Sequence, residues 1–202
     1  MIKEYNFILK YKLPTTIEPV DALVDQLYAQ GCDDALIGIG VAGQIALEFV
    51  REAASAVEAV QSAHKDVLNT LPQAQLIEAS PDYVGLTDIA EIVSVTRQQM
   101  RKIYEQESSF PAPFHSGKSA IWHLHDVLDW IKANKNYAIC EQVHQLSMVT
   151  AKLNAANTNK QDTSFLFERF KKNTLVLYAT AQTTNSLFTS EQNVCLSALE
   201  VA

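Results

Sequence analysis

Residues 84–106, VGLTDIAEIVSVTRQQMRKIYEQ, set the reading of the whole chain. Leu86, Ile89, Ala90 and Val93 fall on one face of a short helix, for which Thr87 is the expected N-cap. Ser94-Val95 leaves room only for a tight connection. Thr96 then caps a second helix, and Gln99 three residues on completes a capping box. Val95 and Met100 occupy the two positions of a hydrophobic staple. Met100, Ile103 and Tyr104 form the inner face of that helix. Gln98, Arg101, Lys102 and Glu105 point outward, with Arg97 at the edge.

Downstream lies FPAPFHSGKSAIWHLHDVLDWI, residues 110–131. Pro111 and Pro113 block helix, Ser116-Gly117 can turn, and the chain can return as a strand from Ser119 to Leu124. Asp126 then starts another helix, with Val127, Leu128, Trp130 and Ile131 for its packing. A capped polar helix alone reads as a solvated surface helix. Helix, tight turn, helix, β-wing, helix is instead a unit that docks on DNA, the second helix in the major groove and the wing beside the backbone. Arg and Gln match base edges bidentately, and Lys suits a phosphate.

Upstream, residues 4–11, EYNFILKY, read as a strand that Pro14 ends. Val20, Leu23, Val24, Leu27 and Tyr28 make one helical face, with Pro19 in its first turn and Gly31 just past its end. An apolar run at 35–41 and the alternating QIALEFVR at 44–51 read as two strands joined at Ala42-Gly43. Ser55 and Glu58 form a capping box for a helix with Val57, Val60, His64, Val67, Leu68 and Leu71 on one face, which Pro72 stops. AQLIEA, residues 74–79, is a fourth strand. The order β-α-β-β-α-β is the ferredoxin-like arrangement, which does not by itself specify a function. Gly38-Ile39-Gly40-Val41-Ala42-Gly43 matches a dinucleotide-binding G-x-G-x-x-G, but a strand follows it where a helix is needed, so it reads as hairpin glycines.

The expected fold class is therefore α+β: a ferredoxin-like domain at 1–80, a winged helix-turn-helix domain at 81–134 and a C-terminal helical or irregular extension at 135–202. Ile139, Val143, Leu146, Thr150 and Leu153 step by 4, 3, 4 and 3, a seam over about two heptads. It reads either as a helix packed on its own domain or as a dimerisation helix over 137–154. NAANTNKQDTS at 154–164 reads as a polar linker. FLFERFKKNTLVLYATA beyond it mixes apolar residues with Arg169, Lys171 and Lys172.

Residues 83–132 resemble the winged helix-turn-helix of the AlpA/excisionase branch of the MerR-like superfamily. The resemblance is carried by the LTDIAEIVSVTRQQMRKI core, Phe110-Pro111-x-Pro113, Gly117-Lys118, and Trp122, Asp126-Val127 and Trp130-Ile131. Residues 1–132, with GCDDALIGIG and IALEFVREA, further resemble bacterial helix-turn-helix transcriptional regulators. The resemblance implies that Thr96, Arg97, Gln98, Arg101 and Lys102 sit in the major groove and that Lys118 is the wing cation. Ser119 stands where a second basic wing residue is common.

The net charge of −7 speaks against nucleic acid only until it is divided along the chain. Residues 1–80 carry 5 basic and 11 acidic groups, whereas Val95 to Lys118 set Arg97, Arg101, Lys102 and Lys118 against Glu105 and Glu107, a local +2. His115, His123 and His125 lie within eleven residues; His115 suits a phosphate and the other two a structural role. No Cys, Asp or Glu at ligand spacing completes a metal set except Asp126, which the helix start explains, so no metal and no cofactor are expected. Cys32, Cys140 and Cys195 are far apart and odd in number, which fits a reducing cytoplasm. No apolar run reaches the ~18 residues of a membrane span. Neither a nucleophile elbow nor a complete phosphate loop occurs, so no enzyme is expected.

The leading expectation is a cytoplasmic, sequence-specific DNA-binding transcriptional regulator that binds double-stranded DNA as a homodimer. The alternative is a protein-interaction module, such as an antitoxin-like or phage-derived factor, whose partner docks on the N-terminal domain or the C-terminal region. A third reading is a regulator that senses a small molecule at a ferredoxin-like edge.

Overall fold

Tyr5, Phe7, Leu9 and Tyr11 alternate with more exposed neighbours, which makes β1 (Lys3–Lys12) a strand with one buried face. The computed structural model describes residues 2–14 and 20–158. Pro19, the end of the 154–164 stretch and the basic-apolar segment after it lie outside the described residues. β3 (Gln44–Ala53) buries Ile45, Leu47 and Phe49 and runs antiparallel to β1, with Phe7 opposite Phe49 and their rings stacked at 5.2 Å. β2 (Ala35–Gly38) pairs antiparallel with β3. Gly43 closes the turn between them at φ 74°, and Gln44 N–H donates to Val41 at 3.0 Å. The glycine run is thus a hairpin, with no helix after it to receive a phosphate. β4 (Gln75–Ser80) pairs with β1, giving an antiparallel sheet ordered β2-β3-β1-β4.

Helices cover the buried face. α1 (Val20–Leu27) buries Leu23 and Leu27 and runs into a π-helical turn, Tyr28–Cys32. The widened turn carries Tyr28 out to solvent, off the expected apolar face. α2 (Ala56–Thr70) starts at Ser55, whose hydroxyl accepts from Glu58 N–H, while Glu58 accepts from Ala54 N–H. Its buried line includes Ala56, Ala59 and Ala63 besides Val60, His64 and Val67.

Arg51 ties these layers together from the buried face of β3. Its guanidinium donates to both Asp34 oxygens at 2.7 and 2.9 Å, to Asp66 at 2.8 Å, to Ser62 at 3.1 Å and to the Gly31 carbonyl at 2.6 Å. Gly31 sits at φ 97°, and a Cβ there would approach Asp66 to 3.3 Å. Removing a side chain at 31 thus lets the carbonyl face Arg51 without crowding its carboxylate partner. Cys32 is buried beside them, and burial first, then Asp66, pushes its thiol up to about 11, so it stays protonated and inert at neutral pH.

The chain then builds a second, three-stranded sheet: β5 (Tyr83–Val84), β6 (His115–Ser116) and β7 (Ala120–His123), ordered β5-β7-β6. Around it pack α3 (Leu86–Ile92), α4 (Arg97–Gln106) and α5 (Leu124–Asn134). Ile89, Met100, Trp122, Leu124, Val127, Leu128 and Ile131 form the fully buried centre. Both indoles find partners, Trp122 donating to the Pro111 carbonyl at 3.0 Å and Trp130 to the Ser109 hydroxyl at 3.1 Å.

α6 (Glu141–Thr158) joins the two halves. Leu146, Thr150 and Leu153 of the heptad seam are buried within the chain, and Ile139 and Val143 pack toward the α3–α5 core. Of the seam's two readings, the packing observed among the described residues is the one within its own chain. Helix also replaces the expected polar linker as far as Thr158, because its asparagines serve the exposed edge of β4. Asn154 accepts from Ala79 N–H at 2.7 Å and donates to Ala79 O at 2.8 Å, and Asn157 donates to Leu76 O at 2.7 Å. An edge strand is thereby covered instead of left open. The described residues all fall in one compact unit.

Candidate nucleic-acid interface

α3 ends in a Schellman turn. Val95 N–H donates to Ala90 O at 2.9 Å, Ser94 N–H donates to Glu91 O at 3.1 Å, and Ser94 takes the left-handed φ of 56°. The N-cap of α3 is Gly85 instead of Thr87, because Asp88 turns back to accept from Gly85 N–H at 2.7 Å. Thr96 caps α4 as expected, its hydroxyl accepting from Gln99 N–H at 3.1 Å. The other half of the expected capping box is absent. The Gln99 amide instead donates to the Tyr137 hydroxyl at 3.0 Å, pinning α4 to the segment before α6.

With Met100 fully buried and Ile103 half-buried, α4 turns Arg97, Gln98, Arg101 and Lys102 to solvent. These four share one face of a helix whose orientation is fixed at its start, its inner side and its end. Tyr104 rests edge-on against Trp122 of β7 at 5.1 Å and Phe110 at 5.8 Å. Glu107, just past the helix, is ion-paired with Lys135. Helix and hairpin therefore stand on the same aromatic core.

One cation of the face is engaged within the chain. Arg101 Nε donates to Glu105 at 2.7 Å, and this hydrogen bond pushes the guanidinium further up from an already high value. Both side chains are exposed, so the pair can open toward an anionic ligand at small cost. His115 and Lys118, the other residues expected to bind, lie on the β6–β7 hairpin and are exposed. They occupy a separate element from the α4 set. A Cβ at Gly117 between them would come within 2.8 Å of His115 Nε2, the far end of an exposed side chain that can swing aside.

Such a surface can do two things chemically. Arg97, Gln98 and Arg101 offer planar donors suited to base edges, and Lys102, Lys118 and His115 offer point contacts to phosphate oxygens. Among the described residues none of the six has a buried partner, so each can reorient on binding.

Sequence reasoning did not find Tyr137 or Lys135 as supports of α4, because both lie outside any periodic segment. It also left His123 without its partner, Asp82, which is 41 residues away in sequence and meets it at 2.7 Å. No helix among the described residues is long and apolar enough to cross a membrane. No protein-family model, no curated protein and no solved structure matches the chain.

Proposed function

We propose that the chain is a sequence-specific DNA-binding regulator in which α4 enters the major groove and the β6–β7 hairpin acts as a wing on the backbone. The observation that carries this reading is the α4 face, where Arg97, Gln98, Arg101 and Lys102 stand exposed on a helix fixed by a Schellman turn and a threonine cap. Helix, turn, helix, hairpin and helix around one core support a winged helix-turn-helix of the AlpA/excisionase kind. The order β2-β3-β1-β4, antiparallel throughout, supports a ferredoxin-like first half. That half carries a net −6 of the chain's −7 and faces away from the duplex in this reading.

A homodimer belongs to the proposal, because one such module buries only ~600–1,000 Å² on DNA. With the α6 seam buried, the pairing surface lies elsewhere on the chain. The test is selection of bound duplexes from a random pool by the full chain. Recovery of a shared sequence motif supports the reading. Recovery of unselected sequence, together with co-purification of one stoichiometric protein, favours a protein-interaction module.

A further inference from the structure

Between the two sheets, Asp82 meets two metal-ligating side chains from a distant part of the chain, His123 and His125. One ligand atom from each of Asp82, His123 and His125 lies within 4.8 Å of the others. Asp82 sits in the link between β4 and β5, His123 ends β7, and His125 is in the first turn of α5. The Asp82 carboxylate is wholly buried. One of its oxygens is 2.7 Å from His123 Nδ1, and the other accepts from Asn154 Nδ2 at 2.7 Å.

His125 supplies the decisive detail. Its Nε2 lies 3.1 Å from Asp126 Oδ1. Its Nδ1 is buried and has no hydrogen-bond partner among the described residues. In the tautomer with its proton on Nε2, Nδ1 carries a lone pair with nothing to receive it. Buried ring nitrogens are rarely left so. A buried imidazole nitrogen that keeps its lone pair beside a buried carboxylate and a second imidazole is ready to bind a metal. Asn154 orients Asp82 from behind, as supporting hydrogen bonds do in metal sites.

We propose that Asp82, His123 and His125 bind a divalent transition metal ion of the zinc class, with His125 Nδ1 as one ligand. Two imidazoles and one carboxylate suit zinc, cobalt or nickel, whereas calcium and magnesium demand more oxygen donors. The ion replaces the proton between Asp82 and His123, and their 2.7 Å contact opens to the roughly 3.3 Å that separates two ligands of a tetrahedral zinc. Tyr83 and Phe114 flank His123, with ring centroids at 5.3 and 4.8 Å, and wall the site from the hairpin side. The ion would lock β7 and α5 to the link that leads into the first sheet, with α6 behind it. This site does not depend on DNA binding.

The experiment uses the full chain, stripped with chelator and dialysed, then titrated with zinc chloride by calorimetry and with cobalt(II) by visible absorption. Thermal unfolding is followed in parallel. One ion per chain, cobalt bands in the visible, and a melting temperature raised by several degrees at saturating zinc are expected. His125→Ala, which removes no hydrogen bond to another element, should stay folded by circular dichroism and bind zinc at least about tenfold more weakly. Asp82→Asn should also lose binding. Absence of stoichiometric binding to the stripped chain overturns the proposal, and so does a folded His125→Ala variant that binds zinc as tightly as the parent.

Discussion

At the scale of single residues, two side chains show how burial sets chemistry. His64 is buried on α2 with Nδ1 2.8 Å from the Tyr11 hydroxyl, and burial lowers its pKa to about 4. The unfolded chain gains this proton near pH 6.5 and the folded chain only near 4, so folding loses stability as pH falls through that window. The limit of the loss is ~3 kcal/mol, the free energy that separates 6.5 from about 4. His64→Gln keeps a polar partner for Tyr11 but does not titrate. Its urea midpoint should therefore fall less than the parent's between pH 7 and pH 5, and equal falls would contradict the account. Ser94 is the second case, since its left-handed backbone is one that glycine adopts freely. Ser94→Gly should stabilise the chain by ~0.5–1 kcal/mol, read as a higher urea midpoint. The tight connection was visible in the sequence, but its Schellman geometry was not, because serine is not the residue that usually signals it.

At the scale of elements, periodicity located nearly every segment. The alternation of Tyr5 to Tyr11 and of Ile45 to Phe49, and the spacing of Met100 and Ile103, arise from one buried face each, and so they survive in the sequence. Elements held by long-range polar contacts were not legible. β5 is two residues long and has no pattern of its own. The last turns of α6 read as linker because asparagine is common in loops, yet Asn154 and Asn157 are there to satisfy the edge of β4. Asn154→Ala would leave the Ala79 amide and carbonyl and an Asp82 oxygen without this partner, a loss of about 1–3 kcal/mol. Hydrogen exchange at the Ala79 amide should accelerate well beyond the global change. Unchanged protection there would remove α6 from its role as the cover of that edge.

At the scale of the whole molecule, charge is divided between two halves that share one compact unit. Among the described residues of the first half the one buried cation, Arg51, is enclosed by Asp34 and Asp66, while the second half turns Arg97, Arg101, Lys102 and Lys118 outward on α4 and the hairpin. The outward set was legible because helical spacing places Arg97, Gln98, Arg101 and Lys102 on one side. The Arg101–Glu105 pair and the Tyr137 anchor needed coordinates. So did the Asp82–His123–His125 cluster, because only folding brings Asp82 to the two closely spaced histidines. The central claim is that the α4 face meets phosphates and bases together. The most direct test measures binding of the full chain to its selected duplex over a range of salt concentrations. Lys102→Ala should weaken binding and reduce the slope of log K against log salt by about 1. Gln98→Ala should leave that slope unchanged while relaxing preference at one base position. Affinities, slopes and preferences unchanged in both variants would contradict the account.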